Sequence, residues 1–292
     1  MADVSATLPA ITAGELVSEL AIALASAGVT DARREARDLV AALADQPRFW
    51  PTANAKAPVG ALADAARGAA ARRCRGEPFA YCVGRAAFRH LTLLVDRRVL
   101  IPRQETERLI DLVLARTNGG RGTVVDIGTG SGAIVLALGM EGNFRRAIGS
   151  DLSADALDVA RRNGDRCAPL LRTVPGFIEG AGIAPVLGER VDVVVSNPPY
   201  ISYGEVAALP ASVRDWEPPM ALVAADDGLA VTAAIVRDAP VVLVPGGLLA
   251  LEVDEHRAGR VAAFMRDDGR YRAVEVEQDL TGRDRFVLAI RL

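Results

Sequence analysis

An α/β protein carrying a helical N-terminal region is the fold class predicted, and three observations carry the prediction. Residues 123–127 lead into Gly128-Thr129-Gly130-Ser131-Gly132 and then an apolar run of helical length, Ala133 to Leu138. That order reads as strand, tight turn and helix start. A second unit follows at once: Ala147-Ile148-Gly149-Ser150-Asp151 reads as a strand ending in an acid, with a helix from near Ser153. Two further β-rich runs, 271–278 and 284–291, close the chain and are joined by Asp279-Leu280-Thr281-Gly282-Arg283. Such a link is too short for a parallel crossover, so the final pair is expected to be antiparallel.

Taken in order, residues 1–77 read as a helical bundle. Thr12 and Glu15 have capping-box spacing, Leu16, Leu20 and Leu24 form an apolar stripe, and Gly28 suits the end of that helix. Thr30 or Asp31 is positioned to cap a second helix, with Ala36, Leu39, Val40 and Leu43 turned inward. Pro47 to Pro51 reads as a turn with aromatic packing, and Leu62 to Cys74 as an alanine-rich helix ended by Gly76. The segment carries no chemistry of its own, which leaves recognition or positioning.

Residues 78–103 read as a β-hairpin linker, with Leu91–Val95 and Val99–Ile101 as strands around the polar turn Asp96-Arg97-Arg98. A helix is expected over Glu105–Ala115, and Arg103, Glu105 and Glu107 are read in part as electrostatics of its start. Residues 104–292 then form the α/β domain. Strands are expected at 123–127, 145–150, weakly at 170–178, at 191–196 and at 247–253. The helices expected between and after them run over 131–140, 153–164, 228–238 and 256–266.

Three stretches carry chemistry. Glycines 128, 130 and 132 let a ligand approach backbone that any Cβ would obstruct, and the helix start beyond offers N–H groups. Asp151 lies 23 positions after Gly128, where an acid can accept both hydroxyls of a ribose; a simpler role is to cap the helix that follows. Gly128, Gly130 and Ala133 also satisfy the relaxed dinucleotide pattern, so a nicotinamide cofactor competes with S-adenosylmethionine at this point. The third stretch, Ser196-Asn197-Pro198-Pro199-Tyr200, follows a strand of valines. Its prolines remove backbone donors and leave carbonyl acceptors. Asn197 adds an acceptor and Tyr200 an aromatic face, a combination suited to a planar NH2 group and unnecessary in a dehydrogenase.

Bulk properties narrow the field. The 292 residues carry a net charge of −3 with 50% hydrophobic content, whereas enzymes gripping naked nucleic acid usually carry a basic excess. Lys56 is the only lysine. Cys74, Cys82 and Cys167 form no C-x-x-C pair, which points to reduced thiols and away from disulfides or zinc. With only His90 and His256, a Ser-His-Asp engine has little material. No metal site is expected. The N-terminus has no basic lead-in to an apolar core, and the apolar run 240–253 is broken by Pro245-Gly246-Gly247, so a cytoplasmic protein is expected.

Several dispersed stretches together resemble one family: Leu100 to Glu107, the glycine loop, Asn197 to Tyr200, Trp216-Glu217-Pro218, Ala221-Leu222 and Asp279 to Arg285. They are similar to the protein-(glutamine-N5) methyltransferases that act on class 1 peptide chain release factors, the PrmC/HemK group. The resemblance implies a class I, Rossmann-like methyltransferase sheet using S-adenosylmethionine. It assigns cofactor binding to Gly128, Thr129, Gly130, Ser131, Gly132, Asp151, Gly182 and Asn197. Substrate binding is assigned to Asn197, Pro198, Pro199 and Tyr200, with Asn197, Pro198 and Tyr200 catalytic. The implied reaction is direct transfer of the sulfonium methyl to the glutamine amide nitrogen of a Gly-Gly-Gln loop, its NH2 held by the Asn197 and Pro198 carbonyls. Tyr200 would pack on the amide plane and Glu217 would support the loop after it. Release factors are the implied partner, and neither nucleic acid nor membrane is expected. A ribosomal-protein glutamine and an exocyclic amine of a nucleic acid are the alternative acceptors. The chain departs from the family at Gln104, at Glu179-Gly180-Ala181-Gly182 beside the expected adenine position, and at Glu252-Val253-Asp254.

Overall fold

The computed structural model describes residues 11–180 and 190–292. The chain divides into two compact units, Met1–Arg85 and Ala86–Leu292.

The first unit is helical. Its helices are Ala13–Ser26, Ala32–Leu43, Leu62–Cys74 and the short Phe79–Val83, with a single turn over Trp50–Ala53. The Thr12–Glu15 box closes in both directions: the Thr12 N–H donates to Glu15 Oε2 (2.9 Å) and the Glu15 N–H to Thr12 Oγ1 (3.3 Å). Leu16, Leu20 and Leu24 pack with Ala36, Leu39 and Val40 and with Ala63, Ala66 and Ala70. Each buried leucine contributes roughly 1.5–3 kcal/mol. Asp31 makes no capping hydrogen bond and instead pairs with Arg34 at 2.7 Å. Phe49, expected to pack, is exposed and lies under the Arg37 guanidinium. The boundary falls beyond Phe79–Val83, a helix too short for its periodicity to show in the sequence.

The second unit opens within the hairpin of β1 (Arg85–Phe88) and β2 (Leu91–Leu94), which form a sheet of their own. The pairing is one strand earlier than expected. The turn is Arg89-His90, with Arg89 in the left-handed region, and 99–101 is not a strand. Asp96 explains the difference. Its carbonyl accepts from the Val99 N–H and its carboxylate from the Arg98 N–H, closing a turn after which the chain continues outside any strand.

The main sheet comprises β3 (Thr123–Ile127), β4 (Arg146–Asp151), β5 (Gly176–Glu179), β6 (Val191–Ser196), β7 (Leu243–Glu252), β8 (Tyr271–Gln278) and β9 (Asp284–Arg291). Their order is β5-β4-β3-β6-β7-β9-β8. The first five are parallel, while β9 is antiparallel to both β7 and β8, as the short 279–283 link requires. β3, β6 and β7 are buried on both faces, which is why they read as continuous valine and leucine runs. One face packs on helices Thr106–Arg116 and Ala133–Glu141, the other on Ala230–Val242 and Ala258–Asp268. The strand order reverses between β3 and β6. In sheets of this kind the crevice for ligands lies at the carboxyl ends of the strands beside that reversal. Among the described residues, no helix is long and apolar enough to cross a membrane.

Candidate active site

The crevice is lined by the segments leaving β3, β4, β6 and β7. β3 delivers Asp126, fully buried, just before the glycine loop. Gly128, Gly130 and Gly132 all have positive φ (69°, 55° and 83°). A Cβ built on Gly128 or Gly130 would meet none of the described residues within 4 Å, so among them the loop borders open space rather than packed protein. At Gly132 the same Cβ would press on Leu136, which makes this third glycine a packing requirement of the helix it caps. Thr129 and Ser131 are buried and hold the loop's shape. Thr129 Oγ1 donates to Asp126 Oδ2 (2.6 Å) and its N–H to the Ser150 carbonyl (2.9 Å).

Asp126 has an unusual environment. Its Oδ1 is buried without a hydrogen-bond partner among the described residues. Burial pushes its pKa up to about 7; the Thr129 hydroxyl offsets part of this, as does the Val135 amide, which lies nearby without closing a normal hydrogen bond.

At the tip of β4, Asp151 does two things. Its Oδ2 accepts from the Gly130 N–H and its Oδ1 from the Ser153 N–H, both at 2.9 Å. The helix cap proper is Ser153, whose hydroxyl accepts from the Ala156 N–H. Asp151 therefore sits beside the glycine loop and is half-buried, with lone pairs to spare on both oxygens. Gly180, after β5, donates its N–H to the Asp151 carbonyl. Gly182 lies outside the described residues.

The Asn197–Tyr200 turn leaves β6 on the other side of the reversal. Pro198 is buried, and Asn197, Pro199 and Tyr200 are half-buried. The Asn197 amide donates through Nδ2 to Thr106 Oγ1 at 3.1 Å. Tyr200 has its pKa pushed up to about 12 by burial and then by the Glu252 carboxylate, so its phenol stays protonated. The segment beyond is held by backbone: the Ile201 N–H donates to the Leu222 carbonyl, and the Ala224 N–H to that of Ile201. Glu217, expected to support this segment, serves another. Its carboxylate accepts from Arg103 Nη2 (2.7 Å) and from the Ile101 N–H (3.2 Å), fastening the Ile101–Arg103 segment to Trp216–Pro218. Arg103 and Glu107 are accordingly tertiary fasteners rather than helix-start charges. Glu107 accepts from the Arg89 N–H in the hairpin turn.

Comparison with known proteins completes the picture. The PrmC N-terminal domain family matches residues 15–84, and the methyltransferase small domain family matches 106–210. The release factor glutamine methyltransferase of Moorella thermoacetica is 37% identical over 96% of this chain and 99% of its own. That of Cereibacter sphaeroides is 40% identical over 91% of this chain and 94% of its own. The chain belongs to the release factor glutamine methyltransferase family. It is an enzyme, an S-adenosylmethionine-dependent methyltransferase. Among solved structures, a methyltransferase from Pyrococcus furiosus superposes with a TM-score of 0.51 at 20% identity, covering 68% of this chain and 87% of that one. The hMettl16 catalytic domain in complex with the MAT2A 3'UTR hairpin 6 gives 0.55 at 17%, covering 79% and 81%. At those identities the likeness is one of fold.

The structure also brings in residues that sequence reasoning passed over. Asn163, 0% exposed, donates to the Ser131 and Leu94 carbonyls and accepts from the Leu94 N–H, tying β2 to the glycine loop. Its signal was present as a polar residue on the otherwise apolar face Ala156, Leu157, Val159, Ala160. Arg257, also buried, donates to Glu205 Oε2 (2.6 Å), the Asp227 carbonyl (2.6 Å) and Asp254 Oδ1 (3.2 Å). Nothing local in the sequence distinguishes it from the other arginines.

Proposed function

We propose that this enzyme methylates the side-chain amide nitrogen, N5, of the glutamine in the Gly-Gly-Gln loop of class 1 peptide chain release factors. The observation that carries the reading is the Asn197–Tyr200 turn beside the glycine loop, in a chain whose relatives bear that activity in their names over nearly their full lengths. S-adenosylmethionine supplies an electrophilic methyl group on its sulfonium. The residues present fit it: a glycine loop open to ligand at Gly128 and Gly130, buried Thr129, Ser131 and Gly132 shaping that loop, and a half-buried carboxylate at Asp151 for the ribose hydroxyls. Gly182 and Asn197 would complete the cofactor site.

Toward the substrate, Asn197 Oδ1 and the Pro198 carbonyl each accept one N–H of the glutamine amide. The amide lone pair is delocalised, so orientation matters more than in an amine, and two fixed acceptors provide it. Pro199 stiffens the turn, and the protonated Tyr200 ring packs on the amide plane. The helical N-terminal segment, expected over 1–77, is assigned recognition of the release factor, and residues 78–103 the link to the methyltransferase domain. A cytoplasmic location belongs with this reading.

Labelled S-adenosylmethionine incubated with a release factor, tRNA or DNA tests it, with label expected in the release factor. Asn197→Ala should leave the cofactor largely bound, since the glycine loop and Asp151 hold most of it, and lower the single-turnover transfer rate roughly 10²–10³-fold. Label in nucleic acid alone, or an Ala variant at full rate, would overturn it.

A further inference from the structure

The Asn197–Tyr200 turn has to keep two acceptors and an aromatic ring in place, and its own stiffness ends at its flanks. Pro198 and Pro199 fix the two central φ angles, whereas Asn197 and Ile201 are held from outside. On one flank Asn197 Nδ2 donates to Oγ1 of the buried Thr106 at 3.1 Å. On the other, the Ile201 N–H donates to the Leu222 carbonyl at 3.0 Å, and the Ala224 N–H to the Ile201 carbonyl at 2.9 Å. Thr106 and Leu222 belong to segments far apart in sequence. The turn is therefore placed only as well as those two segments are placed relative to each other.

Glu217 joins the two. Its side chain is 1% exposed, and its carboxylate accepts from Arg103 Nη2 and from the Ile101 N–H. Arg103 stands three residues before Thr106, and Glu217 five before Leu222. Neither stretch has slack. After Arg103, the Gln104 and Glu105 carbonyls accept from the Glu107 and Arg108 N–H groups; after Glu217, the Pro218 and Pro219 carbonyls accept from those of Ala221 and Val223. The Arg97 guanidinium, 4.1 Å over the Trp216 ring, adds a second tie across the same join. A closed ring results. It runs from Asn197 to Ile201, across to Leu222, back to Glu217, across to Arg103, on to Thr106 and across to Asn197.

We propose that Glu217 is a positioning residue for methyl transfer: by closing this ring from its far side it keeps the Asn197 and Pro198 acceptors in line with the reacting methyl. This rests on the reading of Asn197–Tyr200 as the substrate turn. Closing a chain into a loop removes conformational freedom, and opening one crossing returns that freedom to the whole loop. The ring also gives a reason for a buried carboxylate, which is costly to desolvate. An apolar side chain would pack there at less cost, but it would leave the Ile101 N–H and Arg103 without this acceptor and the ring open. The cofactor loop hangs elsewhere, from Asp151 and Asn163, so the effect falls on transfer and not on cofactor binding.

The experiment measures single-turnover transfer to a release factor, S-adenosylmethionine affinity and Tm for Glu217→Ala, Glu217→Gln, Thr106→Val and the Glu217→Gln/Thr106→Val pair. Glu217→Ala and Thr106→Val should each slow transfer about 10- to 100-fold, with cofactor affinity within about twofold of wild type. Glu217→Gln keeps the volume and one acceptor for the Ile101 N–H, so it serves where Ala does not fold, and should slow transfer at least about fivefold. A ring opened at one crossing is already open, so the pair should be no more than about threefold slower than its slower single variant. Losses that multiply would overturn the proposal. So would a wild-type rate in folded Glu217→Gln, or a loss of cofactor affinity as large as the loss of rate. The 15N-labelled side-chain amide of Asn197 gives a readout that needs no methyl acceptor. Its signal should move in Glu217→Gln, on the far side of the ring, and an unmoved signal would likewise overturn the proposal. Failure of wild type to methylate a release factor would instead count against the functional reading, while the amide signal would still decide this one.

Discussion

Asp126 holds a carboxyl under the glycine loop with one oxygen unpartnered among the described residues and its pKa raised by burial to about 7 from 3.8. Between those values the folded state keeps a proton that the unfolded state has released. Stability attributable to this group therefore falls as pH rises through that window and does not fall further above it. Asp126→Asn keeps an acceptor for Thr129 and removes the charge. Its Tm relative to wild type should rise from pH 4 to pH 7 and then level off; a pH-independent difference would show that Asp126 does not titrate there. Asp151 makes a different case, because its oxygens hold Gly130 and Ser153 as well as facing the crevice. Asp151→Ala should weaken S-adenosylmethionine binding by about 1.5–3 kcal/mol in calorimetry. Unchanged affinity would leave it only the structural bonds. Motif spacing exposed Asp151, but nothing local to Asp126 told of its missing partner, which depends on what three strands place around it.

The element of most consequence beyond the glycine loop is the segment after β6, and what holds it comes from far along the chain. Arg257 joins Glu205, the Asp227 carbonyl and Asp254. Bonds from Ser202 and Arg257 hold the Glu205 carboxyl down to about 2. Asp226 and Asp227 are both left-handed (φ 53° and 58°), a conformation costing about 1–3 kcal/mol per strained residue. Gly228 follows at φ 80°, and a Cβ there would stand 2.1 Å from the Tyr200 carbonyl oxygen. Gly228→Ala should displace Tyr200, lowering stability by about 1–3 kcal/mol and raising KM for the protein substrate with cofactor affinity kept. A variant with wild-type KM and Tm would show that the turn yields freely. The central strands were readable as continuous apolar runs separated by helix-length segments, whereas of the expected 170–178 strand only Gly176–Glu179 pairs. The hairpin was misplaced by one strand, since Phe88, Leu91–Leu94 and Val99–Ile101 are all short β-favouring runs and only the Asp96 turn selects between them.

At the level of the whole molecule, the helical unit and the methyltransferase unit each have their own core. Deleting residues 1–85 should leave S-adenosylmethionine binding measurable and impair methylation of an intact release factor. Full-rate methylation by the truncated enzyme would remove the recognition role from the helical unit. Alternation of strand and helix, the short link at 279–283, the glycine spacing and the Asn-Pro-Pro-Tyr turn could all be read along the chain, because each is a local pattern acting within a few residues. The fastening of Arg103 by Glu217, the hold of Asn163 on the glycine loop, the Arg257 bonds and the Asn197–Thr106 hydrogen bond could not. Each joins residues far apart in sequence, and its energy exists only once parallel strands bring their carboxyl ends side by side and exclude the water that would otherwise satisfy the same groups.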